Sequence, residues 1–211
     1  MRHALAAGVA AVLLVLAGCS TPGTAHPNPN NDTKTPTNNT SRPQPTSSDL
    51  PPNVPRVTNP INTTRFEQNP CRVITPAQRN KLSIKTKPKP KMSESGPGCE
   101  WGDVFDDGIT IEGAFLTKGR GSSIAGLYKN NKLGRYDYFQ PIEIHGYPAA
   151  FSAPFDGRDR GGCAIAVGVR NDLLYSIGID LGTENPNYGN PCSVLKRVAE
   201  MAVKTMTQGG S

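Results

Sequence analysis

The stretch "CAIAVGVRNDLLYSIGIDL" (residues 163–181) decides the fold, because its apolar residues alternate on both sides of a polar turn at Asn171-Asp172. Alternation with a period of two predicts strands that bury one face. The sequence therefore predicts an antiparallel β-hairpin. The alternating positions are Ile165, Val167 and Val169 before the turn and Leu173, Tyr175, Ile177, Ile179 and Leu181 after it.

Two further stretches have the pattern of hairpins. In "CEWGDVFDDGITIEGAFL" (residues 99–116), Asp107-Gly108 supplies a turn, and Ile109, Ile111 and Phe115 alternate after it. "QPIEIHGYPAAFSA" (residues 140–153) predicts a strand, a glycine turn and a second strand. Before the first of these hairpins, "KTKPKPKM" (residues 85–92) is predicted to be an exposed extended loop, because lysine alternates with proline or threonine.

Three segments carry helix signals. Thr75-Pro76 with Gln78 forms a capping pattern that starts a short helix ending near Leu82. A second helix runs from Ser122 to about Gly134, and a third begins with cap Asn190 before Pro191. Antiparallel hairpins covered by helices predict an α+β fold of two layers. The apolar stripe predicted for the last helix comprises Val194, Leu195, Val198, Ala199, Met201, Ala202 and Met206.

The N-terminal segment has the pattern of a lipoprotein signal peptide over residues 1–18. A basic start precedes 14 apolar residues (4–17), too few to span a bilayer. Leu16-Ala17-Gly18-Cys19 then has the form of a lipobox, in which the cysteine receives a diacylglyceryl group and becomes the mature N-terminus. We expect anchoring through Cys19, with palmitate-type acyl chains, on the extracytoplasmic face of the cell membrane; an ordinary secretion signal is the alternative.

Residues 19–65 are predicted to form a disordered tether that carries the lipid. Of the 41 residues 20–60, proline, threonine, asparagine and serine account for 29, and almost nothing apolar is available for burial. Residues 66–208 are long enough for a single globular domain with its own core.

Four cysteines remain once Cys19 is set aside, and an exported protein meets an oxidising compartment. No C-x-x-C pair favours the alternative, a zinc site. Asn-Pro-Cys occurs twice where a helix is expected to begin, and Cys163 is in phase with Ile165. We predict the disulfides Cys71–Cys99 and Cys163–Cys192, which would each join a helix start to the sheet.

The chain resembles a family of exported actinobacterial lipoproteins known as domain of unknown function 3558. Asn69 and Asn190 stand where the family more often has aspartate, and Ser83 follows Leu82 where it tends to have glycine. The resemblance implies a lipid-anchored extracytoplasmic domain, no known activity, and a fold similar to Mog1/PsbP-like domains, which are mostly binding or assembly factors. It rests on the lipobox, Asn69-Pro70-Cys71, Thr75-Pro76, Cys99 with Trp101, Gly146-Tyr147-Pro148-Ala149, Cys163 and Pro191-Cys192.

Catalytic chemistry is weakly represented. His145 is the one histidine of the domain, and its place before Gly146 favours a solvated turn. Asp103, Asp106 and Asp107 lack the spacing of a calcium loop, and turn chemistry explains them. "GRGSSI" (residues 119–124) resembles a phosphate loop but lacks the lysine of one, so a helix cap is favoured. We therefore expect no cofactor and no metal.

The charge pattern suggests contact with anionic surfaces rather than with nucleic acid. Without residues 1–18 the chain has 22 basic and 17 acidic residues, a net charge of +5. Lysines recur at Lys85, Lys87, Lys89 and Lys91, where the alternatives are a solvated loop and a contact with lipid headgroups or anionic wall polymers.

These observations favour a non-enzymatic envelope lipoprotein whose domain binds an envelope protein, lipid or wall component. Two alternatives remain open at this level: a carrier of a small apolar ligand in a pocket between sheet and helices, and a wall-modifying hydrolase that uses His145.

Overall fold

The computed structural model describes residues 50–119 and 121–209. Its centre is a seven-stranded antiparallel sheet with the strand order β1-β2-β3-β7-β6-β5-β4. The strands are β1 Lys89–Ser93, β2 Gly96–Asp103, β3 Ile109–Leu116, β4 Tyr138–Ile144, β5 Tyr147–Ala153, β6 Gly162–Arg170 and β7 Leu173–Leu181. The helices are α1 Thr64–Gln68, α2 Pro76–Lys81, α3 Ile124–Lys132 and α4 Pro191–Gly209, with 3₁₀ turns at Pro70–Arg72 and Arg158–Arg160.

All three predicted hairpins are present, as β2–β3, β4–β5 and β6–β7. In the β6–β7 hairpin, Ile165 pairs with Ile177 and Val167 pairs with Tyr175. Paired residues of antiparallel strands point to the same face, so the alternating apolar positions meet on one side of the sheet. The α+β class predicted from the alternation is confirmed.

One face of the sheet, called the α4 face here, carries most of the core. Trp101, Phe115 and Tyr175 are fully buried on it, and α4 packs across β6 and β7. The predicted stripe of α4 holds except at Met201, which is half-buried, while Val203 is fully buried. Val203 follows Ala199 by four residues and precedes Met206 by three, so it shares their buried side of the helix.

The opposite face, called the α3 face, is also covered in part, so the expectation of two layers needs correction. At one end of the sheet, α3 and the segment after Leu50 pack on this face, and a Cβ on Gly168 would meet Val57 and Ile124. The residues of this second, smaller cluster are Val54, Ile124, Leu127, Ala150, Ala166 and Leu174.

The predicted exposed loop at residues 85–92 is partly wrong, because β1 begins at Lys89. β1 is an edge strand whose residues are all exposed, and Pro90 lies opposite Cys99 of β2. An edge strand has one row of unpaired backbone groups, so proline is tolerated there, and lysine discourages pairing with another chain. The pattern that suggested a loop is thus also the pattern of a protected edge.

The packed part of the chain begins earlier than the predicted boundary at residue 66. Val54, Val57 and Ile61 are buried. The Val57 amide donates to Asn171 Oδ1 at 2.9 Å, and the Ile61 amide donates to the Val169 carbonyl at 2.9 Å. Proline-rich composition concealed a segment that adds three apolar side chains to the domain.

Both predicted disulfides are present, and both lie on the α4 face. Cys71–Cys99 joins the first 3₁₀ turn to β2, and Cys163–Cys192 joins β6 to the first turn of α4. The Trp101 indole packs beside the first bridge and donates to the Cys71 carbonyl at 3.3 Å. Each disulfide therefore attaches a helical segment to the sheet, as the Asn-Pro-Cys repeats suggested.

The capping box of α2 is also confirmed, since Thr75 Oγ1 accepts from the Gln78 amide and Gln78 Oε1 accepts from the Thr75 amide. The helix ends with Ser83 in the left-handed region, at a φ of 59°. The Ile84 amide donates to the Arg79 carbonyl at 3.0 Å, which is the long bond of a Schellman motif. Among the described helices, none has both the length and the apolar character to cross a membrane.

Candidate functional site

The proposed lipid-bearing residue and its surroundings lie outside the described residues. This applies to the signal peptide at residues 1–18, to Cys19 and to the predicted tether as far as residue 49. Lipid attachment at Cys19 therefore stays a prediction from the lipobox.

The lysine run is exposed, but two of its four lysines are already paired with one carboxylate. Lys89 Nζ lies 3.2 Å and Lys91 Nζ 2.8 Å from the Glu100 carboxylate, on the neighbouring strand. The hydrogen bond from Lys91 is the main reason that the pKa of the Glu100 carboxyl is lowered, and the same bond raises the pKa of Lys91. Lys85 and Lys87 lie in the extended segment before β1. The run thus presents less net charge to a ligand than its sequence suggests.

The aspartates near the β2–β3 turn hold the backbone in place. Asp107 accepts from the Lys85 and Thr86 amides and from the Thr86 hydroxyl. Asp103 Oδ1 accepts from the Phe105 amide at 2.9 Å. In the part of the chain that the structure describes, no group of three or more His, Cys, Asp or Glu side chains is arranged to hold a metal ion.

His145 lies in the two-residue β4–β5 turn, where it and Gly146 both have positive φ, at 49° and 83°. Positive φ at both positions is what a type I′ hairpin turn requires. The side chain is exposed, and the hydrogen bonds among the described residues include none between His145 and a carboxylate. The structure thus places His145 in the solvated turn that its neighbour Gly146 suggested.

The glycine-serine loop at residues 119–124 caps α3, as favoured above, although Ser123 rather than Ser122 is the cap. Ser123 Oγ accepts from the Gly126 amide at 3.1 Å. Beside this cap lies a cleft of about 890 Å³ that contains Arg170. The Arg170 guanidinium is engaged within the domain, because it donates to Asp172 and to the Thr63 hydroxyl, each at 3.0 Å. This cluster joins the segment before α1 to the β6–β7 turn.

The strongest unpaired concentration of charge lies elsewhere, in a cavity of about 710 Å³ between α2 and α4, called the α2–α4 groove. Four cationic side chains line it, from α1, α2 and α4. These are Arg65, Lys81, Arg197 and Lys204; the other lining residues are Thr75, Gln78, His145, Glu200, Met201, Thr205, Gln208 and Gly209.

Polar side chains that connect the two helices form the inner part of this groove. Gln78 Nε2 donates to the Met201 carbonyl at 3.1 Å and to Thr205 Oγ1 at 2.9 Å. The Thr205 hydroxyl lies 2.9 Å from the same Met201 carbonyl, to which it can donate. Met201, which the sequence pattern assigned to the core, is half-buried here instead. These bonds fix the spacing of α2 and α4 and leave the cationic side chains toward solvent.

The electrostatics of the groove are one-sided. Among the ion pairs of the described residues, none includes Arg65, Lys81, Arg197 or Lys204. Glu200, the one acidic lining residue, is paired with Lys196 four positions earlier on α4. The lining therefore carries an uncompensated positive charge.

The groove continues toward the segment that precedes α1. A second cavity of about 470 Å³ shares His145 and Lys204 with it and also contains Asn59. Arg65 lines the groove near α1. Its Cζ lies 4.7 Å from the centroid of the Phe66 ring, and its guanidinium lies against Gly209 at the end of α4. Its guanidinium is thereby held near one position.

Sequence reasoning missed this groove because its cations come from three separate elements. One local signal was available: Arg197, Met201, Lys204 and Gln208 recur at intervals of three and four residues, so they share one face of a helix. Arg65 and Lys81 are brought beside that face by the packing of α1 and α2, which no spacing in the sequence announces.

A family model described as "Protein of unknown function (DUF3558)" matches residues 14–205, which is most of the chain. No curated protein and no solved structure matches this chain.

Proposed function

Because the chain belongs to the DUF3558 family, whose description names no activity, we propose a function from the domain itself. The protein is an exported cell-envelope lipoprotein of the actinobacterial type, anchored by a diacylglyceryl group on Cys19. Its globular domain acts at the extracytoplasmic face of the membrane as a non-enzymatic binding module.

The observation that carries the proposal is the pair of disulfides. Cys71–Cys99 and Cys163–Cys192 use all four cysteines that follow the lipobox. Disulfides persist in exported proteins and are rare in reducing compartments. Their presence supports export, and the lipobox supplies the reason for the fifth cysteine.

A binding role rather than catalysis is supported by what the candidate catalytic side chains do. Asp103 and Asp107 accept backbone hydrogen bonds, Ser123 caps α3, and His145 occupies a solvent-exposed turn. The α2–α4 groove, by contrast, offers cations that no described carboxylate pairs. The predicted similarity to Mog1/PsbP-like domains, which are mostly binding or assembly factors, belongs to this proposal.

Metabolic labelling with a radiolabelled fatty acid tests the anchor. The full chain expressed in an actinobacterial host is expected to incorporate label and to partition into the membrane fraction. A Cys19→Ala variant loses both, because it lacks the thiol that would be acylated.

A Cys71→Ala/Cys99→Ala variant serves as the control, since it removes cysteines without touching the lipobox and should keep the label. Equal labelling of the Cys19→Ala variant and the unmodified chain would refute lipid attachment at Cys19.

A further inference from the structure

We infer that the α2–α4 groove binds the phosphate group of an anionic phospholipid headgroup and so holds the tethered domain against the membrane surface. The inference rests on the proposed function, because the lipid on Cys19 is what keeps the membrane within reach. It adds a second contact between the protein and the membrane, made by the folded domain.

The charge of the groove selects an anion. Arg65, Lys81, Arg197 and Lys204 line one cavity and have no ion-pair partner among the described residues. Glu200 is already neutralised by Lys196. A cavity lined by cations raises the local concentration of anions, and it does so most strongly where its walls exclude water.

The chemistry of the lining suits phosphate. A guanidinium presents parallel N–H donors that match two phosphate oxygens, and lysine adds point charges from other directions. Arg65 is held in position by the Phe66 ring and by the end of α4. The groove volume of about 710 Å³ is within the range of pockets that accept small ligands.

The position of the groove favours a lipid source for that phosphate. The cavity that continues it contains Asn59, so the groove borders the segment between Leu50 and α1. Leu50, the first described residue, is 31 residues after Cys19. A chain of that length spans up to about 100 Å when extended, so the anchor does not prevent the groove from facing the bilayer.

The groove is a better candidate for this contact than the lysine run at residues 85–91. Lys89 and Lys91 are paired with Glu100, so a headgroup would have to compete with an existing carboxylate. Lys81 and Lys204 have no such competitor among the described residues.

Vesicle co-sedimentation of the chain from residue 20 onward, with its disulfides formed, tests the inference. This chain keeps every described residue and omits Cys19, so binding does not depend on the anchor. We expect sedimentation with vesicles of equal parts phosphatidylglycerol and phosphatidylcholine, and little with phosphatidylcholine alone. Arg65→Gln/Lys204→Gln should weaken the partition coefficient by about 25-fold, since each cation near an anionic surface contributes about 5-fold. Lys81→Gln/Arg197→Gln should weaken the partition coefficient to the same extent. With two independent variants, a folding defect in one of them does not decide the result.

Lys89→Gln/Lys91→Gln is the matched control. It removes the same formal charge at the paired lysines, and we expect a loss of less than about 3-fold, because Glu100 pairs with both lysines and the charge of Glu112 also acts on Lys91. Equal losses in control and groove variants would show that net charge alone drives binding and would overturn the site. Absence of binding by the unmodified chain to phosphatidylglycerol vesicles would overturn it as well.

A soluble arm separates the two sources of phosphate. Glycerol phosphate titrated into the same chain should bind far more weakly than vesicles, because the bilayer supplies many headgroups at once. Tight binding of glycerol phosphate without vesicle binding would assign the groove to a free phosphate ester and refute the lipid assignment. If the unmodified chain incorporates no label that depends on Cys19, the anchor is refuted, whereas absence of vesicle binding by the unmodified chain refutes the groove, so the two proposals fail separately.

Discussion

Ile177 and Gly178 are neighbours on β7, yet they face opposite environments. Ile177 is buried in the core beneath α4, whereas a Cβ placed on Gly178 would meet nothing closer than the Cys163 carbonyl oxygen, at 3.9 Å. The same contrast runs across the middle of the sheet. The α4 face carries the large aromatic residues and both disulfides, while much of the α3 face consists of small residues between charged ones.

The difference teaches where the stability of this domain resides. Burial of apolar area supplies most folding free energy, and it is concentrated on the α4 face. The α3 face is covered at one end by α3 and by residues 50–57, and the remainder tolerates small and polar side chains. Substitutions on the two faces of one strand should therefore differ sharply in effect.

The largest effect is expected from breaking the covalent link between α4 and the sheet. Cys163→Ala/Cys192→Ala should lower the free energy of unfolding by about 3.5 kcal/mol, because a closed loop of this length restricts the unfolded chain. Chemical denaturation followed by circular dichroism measures it. Cys71→Ala/Cys99→Ala is the matched variant. Its loss should be about the same, since the two bridges have sequence separations of 28 and 29 residues. Losses below about 1 kcal/mol for both variants would contradict the expectation that the two bridges stabilise the domain by restricting the unfolded chain.

A smaller effect compares glycines on the two faces directly. A Cβ on Gly113, in β3, would overlap the Tyr175 hydroxyl and lie 3.1 Å from the Trp101 ring, so Gly113→Ala should cost about 2 kcal/mol. Gly178→Ala, on the α3 face, should be neutral or stabilise by about 0.5 kcal/mol, because alanine restricts the unfolded chain. Equal costs for the two substitutions would contradict the contrast.

The same pair can be sharpened at Tyr175. Its hydroxyl is buried and has no hydrogen-bond partner in the described part of the chain, and burial raises its pKa. Tyr175→Phe removes the atom nearest to the new Cβ, so it should restore part of the stability lost in Gly113→Ala. If a double-mutant cycle shows no coupling between the two substitutions, the cost of Gly113→Ala does not come from overlap with the Tyr175 hydroxyl.

The smallest effect concerns the end of α2, after which Ile84 joins the core of the α4 face. Ser83 has a φ of 59°, a conformation that glycine adopts without steric cost. Ser83→Gly should therefore raise the free energy of unfolding by about 0.5–1 kcal/mol, measurable as an increase in Tm. A decrease in Tm would contradict the assignment of strain to this residue.

Much of the architecture could be predicted because its signals are local. Alternation places Ile165, Val167 and Tyr175 on one face of a hairpin, and a capping box starts α2 at Thr75. The disulfides followed from the same logic, since Cys163 shares the phase of Ile165 and Cys192 begins a helix. Such patterns depend on neighbours within a few residues, so the sequence displays them directly.

Local composition gave the wrong expectation in two places. Residues 50–65 contain prolines and few apolar side chains, but Val54, Val57 and Ile61 each find a partner surface far away in the chain. The alternation of lysine and proline fits both a loop and an edge strand, and only the neighbouring β2 decides between them.

The sequence by itself determined the three hairpins, the starts of α2 and α4, the disulfide pairing and the prediction that Cys19 carries a lipid. Tertiary structure alone decided that α3 covers one end of the second face, that Glu100 pairs with the lysines of β1, and that Arg65, Lys81, Arg197 and Lys204 line one groove. The physical reason is that strands and caps are stabilised by residues close in sequence. The net charge of a surface depends on which distant side chains folding brings within a few ångströms of one another.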